Sequence, residues 1–147
     1  MKLKRFISLI LVIFCLVTLF SSCAPSSNKN DLWSDATYKE DKEFGSGEKT
    51  LYVKVVAEDK NVTFKIKTNA KTVGEALLEH NLVSGEKGAY GLYVKTVNGI
   101  FADYNKTKSY WAFTKNGENL TTGVDGEEFK NNDRYELVYT KQWYFNQ

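Results

Sequence analysis

The chain changes character at residue 50, where apolar and polar residues begin to alternate. Residues 50–57, TLYVKVVA, and residues 61–68, NVTFKIKT, each follow a period of two, and the polar turn Glu58-Asp59-Lys60 lies between them. This period is typical of a strand that buries one face and leaves the other in water. The two segments therefore predict an antiparallel hairpin with one buried face.

Residues 72–83, TVGEALLEHNLV, change to a helical period. Thr72 and Glu75 have the spacing of a capping box, in which each side chain accepts a hydrogen bond from the other residue's backbone N–H. The apolar residues that follow recur three and four positions apart. Asn81 tolerates the left-handed conformation that often ends a helix. We expect one short helix here.

The second half of the chain returns to strands. Residues 91–100 end in an Asn-Gly turn, and residues 109–120 contain Asn116-Gly117, a pair suited to a type I′ hairpin turn. Residues 133–144 have the pattern of a last strand. The element order, β-β-α-β-β-β-β, predicts an α+β domain over residues 50–147 in which one helix packs on a mixed β-sheet. A hairpin, a single helix and further strands follow one another in this way in a β-grasp.

The N-terminus has the pattern of an export signal. A basic start precedes an apolar run over residues 6–20, which is shorter than the ~20 residues that a membrane-spanning helix needs. A retained N-terminal anchor is the alternative. Residues 19–23, LFSSC, resemble the lipobox of bacterial lipoproteins, although Phe20 stands where Leu is usual. The resemblance implies removal of residues 1–22 and attachment of diacylglycerol to Cys23. The protein would then be held in the lipid bilayer at the extracytoplasmic face of the cell membrane. Ordinary secretory cleavage is the alternative there.

Cleavage would change the cysteine and charge balance. Of the two cysteines, Cys15 lies in the signal and Cys23 would carry lipid, so neither a disulfide nor a thiol nucleophile would remain. The mature chain would keep 17 of the 20 Lys and Arg residues against 18 Asp and Glu. A nearly neutral domain lacks the basic surface of nucleic-acid-binding proteins, so we expect no nucleic-acid partner.

Residues 23–49 are expected to form the lipidated Cys and a flexible tether. The segment is polar, contains the only Pro of the chain, and buries too little apolar surface to offset its ordering entropy. Its typical reach would be about 25–30 Å. Trp33, Tyr38 and Phe44 are unusual in such a segment, and we expect them to pack loosely on the domain.

Residues that carry catalysis or bind metals are scarce. His80 is the only His of the chain, and its place near the end of the predicted helix favours a structural role in the last turn. Any Ser-His-Asp set would need it, and no Cys/His cluster has metal-ligand spacing. We therefore expect no enzyme activity, no metal site and no cofactor.

Three stretches carry a resemblance to a known family: GLYVKTVNGIFAD from residue 91, KSYWAFTKNGENLTTGV from residue 108 and FKNNDRYELVYTKQW from residue 129. Together they resemble the C-terminal domain of transcobalamins and intrinsic factor and its bacterial relatives, over about residues 50–143. The resemblance implies a β-grasp fold and, as in transcobalamins, a domain that closes over one face of a cobalamin. Transcobalamins add a helical-barrel domain for the other half of the site, and we expect no counterpart of it here.

The resemblance implies that the hairpin and loops around Tyr110 and Trp111 face the ligand. Strand alternation places Trp111 and Phe113 on one face and Tyr110 on the other, so we expect Trp111 in the core and Tyr110 exposed. The alternative is that all these rings only cover the sheet. The residues predicted to contact a ligand are Tyr110, Trp111, Lys108, Asn116, Tyr104 and Asn98.

Two functional hypotheses follow. In the first, a membrane-anchored extracytoplasmic lipoprotein binds a small ligand, with the corrinoid cobalamin as candidate, and presents it to a membrane transporter. In the second, the domain is a non-catalytic protein-interaction or cell-envelope structural module in which a sheet edge pairs with another chain.

Overall fold

A six-stranded mixed β-sheet and a second, three-stranded sheet make up most of the fold. The computed structural model describes residues 31–142. The strands are β1 Lys42–Gly45, β2 Lys49–Ala57, β3 Lys60–Thr68, β4 Val83–Gly88, β5 Gly91–Val97, β6 Ile100–Phe101, β7 Ser109–Lys115, β8 Glu118–Asn119 and β9 Asp133–Lys141. The helices are α1 Val73–Leu78 and α2 Tyr104–Thr107, and a 3-10 helix spans Leu32–Ser34.

The larger sheet has the strand order β1-β3-β2-β9-β7-β8, and the smaller one has the order β4-β5-β6. Two pairs in the larger sheet, β1 with β3 and β2 with β9, are parallel, and the other pairs are antiparallel. Few residues are helical. The expected α+β class with a mixed sheet is therefore confirmed in its broad form, with β-structure predominant.

The hairpin predicted for residues 50–68 is formed by β2 and β3. Leu51, Val53 and Val55 on β2 are fully buried beneath α1 and the loops, and we call this side of the sheet the inner face. Tyr52 and Lys54 alternate with them on the opposite side, which we call the outer face. The remaining outer-face positions follow from the strand register and include Thr63, Lys65, Tyr110, Ala112, Arg134, Glu136, Val138 and Thr140.

Helix α1 begins as predicted, and it ends at Leu78, three residues before Asn81, where the left-handed residue was expected. Both hydrogen bonds of the Thr72–Glu75 capping box are present. At the other end, the N–H groups of Asn81 and Leu82 donate to the carbonyls of Leu78 and Leu77, with Asn81 at a φ of 54°. This is the bond pattern of a Schellman motif, and it turns the chain into β4.

Gly74 in the first turn of α1 permits a close approach of the loop that precedes β9. A Cβ at this position would lie 2.4 Å from the Asp125 carboxylate. The backbone N–H groups of Val73 and Gly74 donate to the carbonyls of Glu127 and Val124. The glycine that weakens the helical pattern in the sequence is thus needed for packing.

The flexible tether predicted for residues 23–49 is wrong from residue 31 onward. Trp33 is only 4% exposed, and its indole N–H donates to the Ala57 carbonyl at 2.8 Å. Tyr38 and Phe44 pack edge-on against each other and against Phe64. Strand β1 extends the sheet by parallel pairing with β3. The polar composition predicted a flexible segment, because its three aromatic anchors are widely spaced and follow no local periodicity.

The two faces of β7 are assigned correctly by the sequence. Trp111 is 7% exposed on the inner face, whereas Tyr110 is 36% exposed on the outer face. Phe113, partly buried, stacks on Tyr135 with 5.4 Å between ring centroids. The turn residues Asn116 and Gly117 both have positive φ, as a type I′ turn requires.

The sequence did not predict β1, β4, β6 or α2 as separate elements. Strand β4 is exposed over most of its length, so it lacks an apolar pattern. No helix within residues 31–142 is both long and apolar enough to span a bilayer. The predicted signal of residues 1–22 and the predicted lipidation site Cys23 lie outside the described residues.

Replacing Trp33 by Ala should lower the free energy of unfolding by about 3–5 kcal/mol, because a large buried ring leaves a cavity. Urea unfolding of the purified protein measures the change. The control is Tyr90→Ala, which removes a fully exposed ring and should change the stability by about 0.5 kcal/mol or less. An equally small effect at Trp33 would show that the N-terminal segment does not belong to the cooperative unit.

Adjacent residues of β7 should respond differently to truncation. We expect Trp111→Ala to cost about 3–5 kcal/mol and Tyr110→Ala about 1 kcal/mol or less, since only the first ring is buried. Parallel urea titrations test this. Equal losses at the two positions would contradict the assignment of the faces.

Candidate functional site

The residues predicted to contact a ligand separate into distinct places. They are Tyr104, Lys108 and Tyr110 at the start of β7, Asn116 beyond its other end, and Asn98 and Trp111 in the interior.

Tyr104 is the first residue of the short helix α2, and Lys108 follows its last residue. The Asp103 side chain begins this helix by accepting hydrogen bonds from two backbone N–H groups. The Tyr104 hydroxyl donates to the Gln142 side chain at 2.5 Å, and the Gln142 N–H donates to the Lys108 carbonyl. The Lys108 ammonium lies 5.1 Å from the centre of the Tyr104 ring. These contacts join α2 to Gln142, the residue that follows β9. Lys108 precedes Tyr110, whose ring is exposed, by two residues.

Asn98 supports the fold, which corrects its assignment as a ligand contact. It is 1% exposed. Its side-chain amide accepts from the Tyr38 N–H and donates to the Tyr38 carbonyl, both at 2.8 Å. Its backbone N–H donates to the Leu82 carbonyl, and its own carbonyl accepts from the Thr37 N–H. The amide therefore joins the N-terminal segment to the β5–β6 turn and has no surface open to a ligand.

Trp111 is likewise turned away from the surface. Its ring meets Tyr139 edge-on, with 5.5 Å between centroids. Its indole nitrogen is buried and has no hydrogen-bond partner among the described residues. A ligand on the outer face would reach Tyr110 and not Trp111.

Lys108 and Asn116 cannot contact one small ligand together. They stand before and after β7, eight residues apart, which at ~3.4 Å per residue is on the order of 25 Å. The prediction that both residues contact the same ligand is therefore wrong, because an extended strand holds its two ends apart.

Asn116 instead borders an open depression in the outer face, with a volume of about 390 Å³. We call it the Arg134 depression. Its lining includes Tyr52, Lys54, Thr63, Asn116, Arg134 and Glu136.

Strand register brings the charged and aromatic groups of this depression together. Tyr52 on β2 is the direct neighbour of Arg134 on β9, and the next outer-face pair is Lys54 with Glu136. The guanidinium carbon of Arg134 lies 4.1 Å from the centre of the Tyr52 ring. The Lys54 ammonium is 3.7 Å from the Glu136 carboxylate, which also accepts a 3.4 Å hydrogen bond from Thr114.

Sequence reasoning missed Tyr52 and Arg134 because outer-face positions of a strand are ordinarily polar and solvated. The only local signal was a Tyr and an Arg at outward positions of two predicted strands. Their pairing depends on β2 lying parallel to β9, and no local pattern reports that.

A partly buried polar cluster lies at the same end of the larger sheet. Lys115 donates to the Asp133 carboxylate at 2.8 Å and to the Tyr135 hydroxyl at 3.0 Å. The Tyr135 hydroxyl donates in turn to Glu127 at 2.9 Å.

The electrostatics of this cluster favour a structural role. Burial raises the pKa of Tyr135 to about 12. The hydrogen bond to Asp133 raises the pKa of Lys115 further above its ordinary value. Burial alone would raise the pKa of Asp133, but hydrogen bonds from Lys115 and from the Lys130 N–H hold it below its usual range. At neutral pH each group keeps its ordinary charge, so none is prepared to exchange a proton.

His80 and the side chains that could bind a metal ion do not form a metal site in the described residues. Within residues 31–142, no three His, Cys, Asp or Glu side chains are grouped so that they could hold a metal ion. His80 lies against Phe44, with 5.2 Å between ring centroids, and not at the Arg134 depression.

Residues 70–141 match a family described as a domain of unknown function, DUF4430. No curated protein matches the chain. The structure of haptocorrin in complex with Cbi has a TM-score of 0.55 and 16% identity, and the match covers 68% of this chain and 27% of haptocorrin. At that identity the likeness concerns the fold alone, and it agrees with the resemblance to transcobalamins.

The crystal structure of a Ruminococcus gnavus protein proposed to bind metal is more similar in sequence, with 36% identity and a TM-score of 0.61. The match covers 65% of this chain and 100% of that protein. With this identity over the full length of the relative, the chain belongs to the same family as the Ruminococcus gnavus protein and carries the DUF4430 domain over residues 70–141.

Proposed function

We propose that the protein is an exported, lipid-anchored domain that binds a small ligand on the outer face of its larger sheet without catalysing a reaction. The Arg134 depression is the observation that carries the proposal. It is concave and brings an aromatic ring, cationic groups and an amide together, so its polar groups can fix the orientation of a small ligand. Tyr110 adds an exposed ring to the same face.

A corrinoid is the first ligand class to test. The resemblance to transcobalamins and the fold shared with Cbi-bound haptocorrin support this choice. Because the match covers only 27% of haptocorrin, we propose that a partner such as a membrane transporter supplies the remaining contacts.

We also propose that the fold is a β-grasp. The first hairpin, β2–β3, is followed by the single longer helix α1, and its first strand pairs in parallel with the last strand, β9. These features support a β-grasp core to which β1 and the smaller sheet have been added.

A metal-dependent function is not part of the proposal. The Ruminococcus gnavus relative is proposed to bind metal. In the described part of this chain, however, the Asp133 carboxylate is engaged by the Lys115 ammonium, and no set of three metal-ligating side chains is assembled. These donors do not fit a metal centre.

The lipid anchor would hold the domain close to the membrane. Cys23 precedes Asp31, the first described residue, by eight positions, and a fully extended chain of that length spans at most about 28 Å. A diacylglycerol provides two chains, which anchor stably where a single chain binds only marginally. Because residues 31–49 belong to the described fold, this connection is shorter than a tether that runs to residue 49.

Replacing Cys23 by Ala should abolish labelling with radioactive palmitate and should leave an uncleaved precursor or a protein released from the membrane. Labelling and membrane fractionation of producing cells test the anchor. Cys15→Ala is the matched control and should be labelled normally, since that residue lies in the predicted signal. Absence of label on the unaltered protein would remove the lipoprotein proposal.

The corrinoid proposal predicts saturable retention of cobalamin or cobinamide by the purified protein in equilibrium dialysis, with visible absorbance as the readout. Tyr110→Ala and Tyr52→Ala test the two ends of the outer face, and at least one should weaken retention tenfold or more. Tyr90→Ala, on the β4–β5 hairpin, is the control and should not change it. No saturable retention of either compound would exclude a corrinoid ligand for this chain alone.

A further inference from the structure

Among the described residues, Arg134 has no ion-pair partner, whereas Lys54 and Lys65 on the same outer face are paired. On the outer face, Lys54 pairs with Glu136, and Lys65 pairs with Glu43 at 3.1 Å. Within residues 31–142, no carboxylate lies within 4 Å of the Arg134 guanidinium. The N–H donors of Arg134 are therefore free to bind an anion from outside this part of the chain.

The Tyr52 ring holds this guanidinium in place. The two residues are direct neighbours in the parallel β2–β9 register, and their separation of 4.1 Å is a cation–π contact. A guanidinium that lies over a ring can still direct its N–H edge away from that ring. Both residues lie on inner strands of the larger sheet, which fix the positions of their backbones. Binding of a ligand therefore costs little further backbone freedom.

The chemistry of the lining selects the ligand. A guanidinium presents two parallel N–H groups that match the two oxygens of a carboxylate. Lys54 and Asn116 add donors at the rim. The Glu136 carboxylate is the one anion of the lining, and it lies 3.7 Å from the Lys54 ammonium. The lining thus carries two cations and one anion, and this net positive charge suits the carboxylate of a small organic acid.

We propose that the Arg134 depression recognises a carboxylate group of a small organic acid, which is bound by the Arg134 guanidinium over the Tyr52 ring with Lys54 and Asn116 as further donors. This inference rests on the proposed function, because it names the ligand chemistry of the same outer face. It requires no metal and no reaction.

Nuclear magnetic resonance titration of the purified, ¹⁵N-labelled protein tests the inference. The probe is succinate, and succinamide at equal ionic strength is the neutral counterpart. We expect saturable shifts with succinate at the Arg134 side-chain N–H and at the backbone amides of Tyr52 and Asn116. Succinamide should cause none. Shifts that map elsewhere, or that are the same for both compounds, would overturn the inference.

Variants of Arg134 test whether the two parallel N–H groups of its guanidinium bind the carboxylate or whether positive charge alone is sufficient. Arg134→Gln should weaken succinate binding at least tenfold, and Arg134→Lys should weaken it several-fold, because an ammonium cannot bind both oxygens in parallel. Lys87→Gln removes one charge from the smaller sheet and should leave binding unchanged. Arg134 is exposed, so these variants should fold, which their amide spectra will report. Equal weakening in Arg134→Gln and Lys87→Gln would reduce the effect to net charge and overturn the site.

The two proposals can fail separately. Succinate binding without corrinoid retention would support the carboxylate site and remove the corrinoid as ligand. Corrinoid retention without succinate shifts at Arg134 would support the proposed function and overturn the carboxylate site.

Discussion

The parallel pairing of β2 with β9 is the interaction on which the rest of this structure depends. Its register runs from Leu51 beside Asp133 to Val56 beside Val138. On the inner face it places Val53 and Val55 against the buried β9 side chains, and on the outer face it places Tyr52 beside Arg134. A slip of one residue would exchange the two faces of a strand, so the core and the Arg134 depression share one constraint.

The polar cluster around Tyr135 shows how this register is secured at the end of the sheet. The Tyr135 ring is buried and stacks on Phe113, so its hydroxyl needs hydrogen-bond partners, which Lys115 and Glu127 provide. Loss of these partners would leave the hydroxyl of a buried residue unsatisfied and would cost more than the net value of the bonds. The backbone carbonyl of Glu127 also accepts from the first turn of α1, so the cluster joins sheet, loop and helix.

The two faces of the larger sheet separate stability from the proposed recognition of a ligand. Inner-face side chains are packed against α1, the N-terminal segment and the loops, and their removal leaves cavities. Outer-face side chains are held at fixed spacing by the same backbone but contribute less to the core. A strand-borne site of this kind is rigid before a ligand arrives, so binding loses little conformational entropy. The proposed lipid at Cys23 would keep this surface near the membrane.

Local chemistry in the sequence was sufficient for the elements whose signals are contained in a few residues. Alternation predicted the β2–β3 hairpin and placed Trp111 inward and Tyr110 outward, the Thr72–Glu75 pair predicted the start of α1, and Asn116-Gly117 predicted its turn. Only the tertiary structure could decide how distant residues meet. Trp33 packs against β2, although the polar segment that contains it shows no strand or helix pattern. The Asn98 side chain accepts a hydrogen bond from the backbone of Tyr38, 60 residues away. The Arg134 depression exists because β2 and β9, about 80 residues apart, lie side by side. Periodicity reports which face of a strand is buried, because that depends on neighbours along the chain. It does not report which strands are adjacent, because that depends on the packing of the whole core.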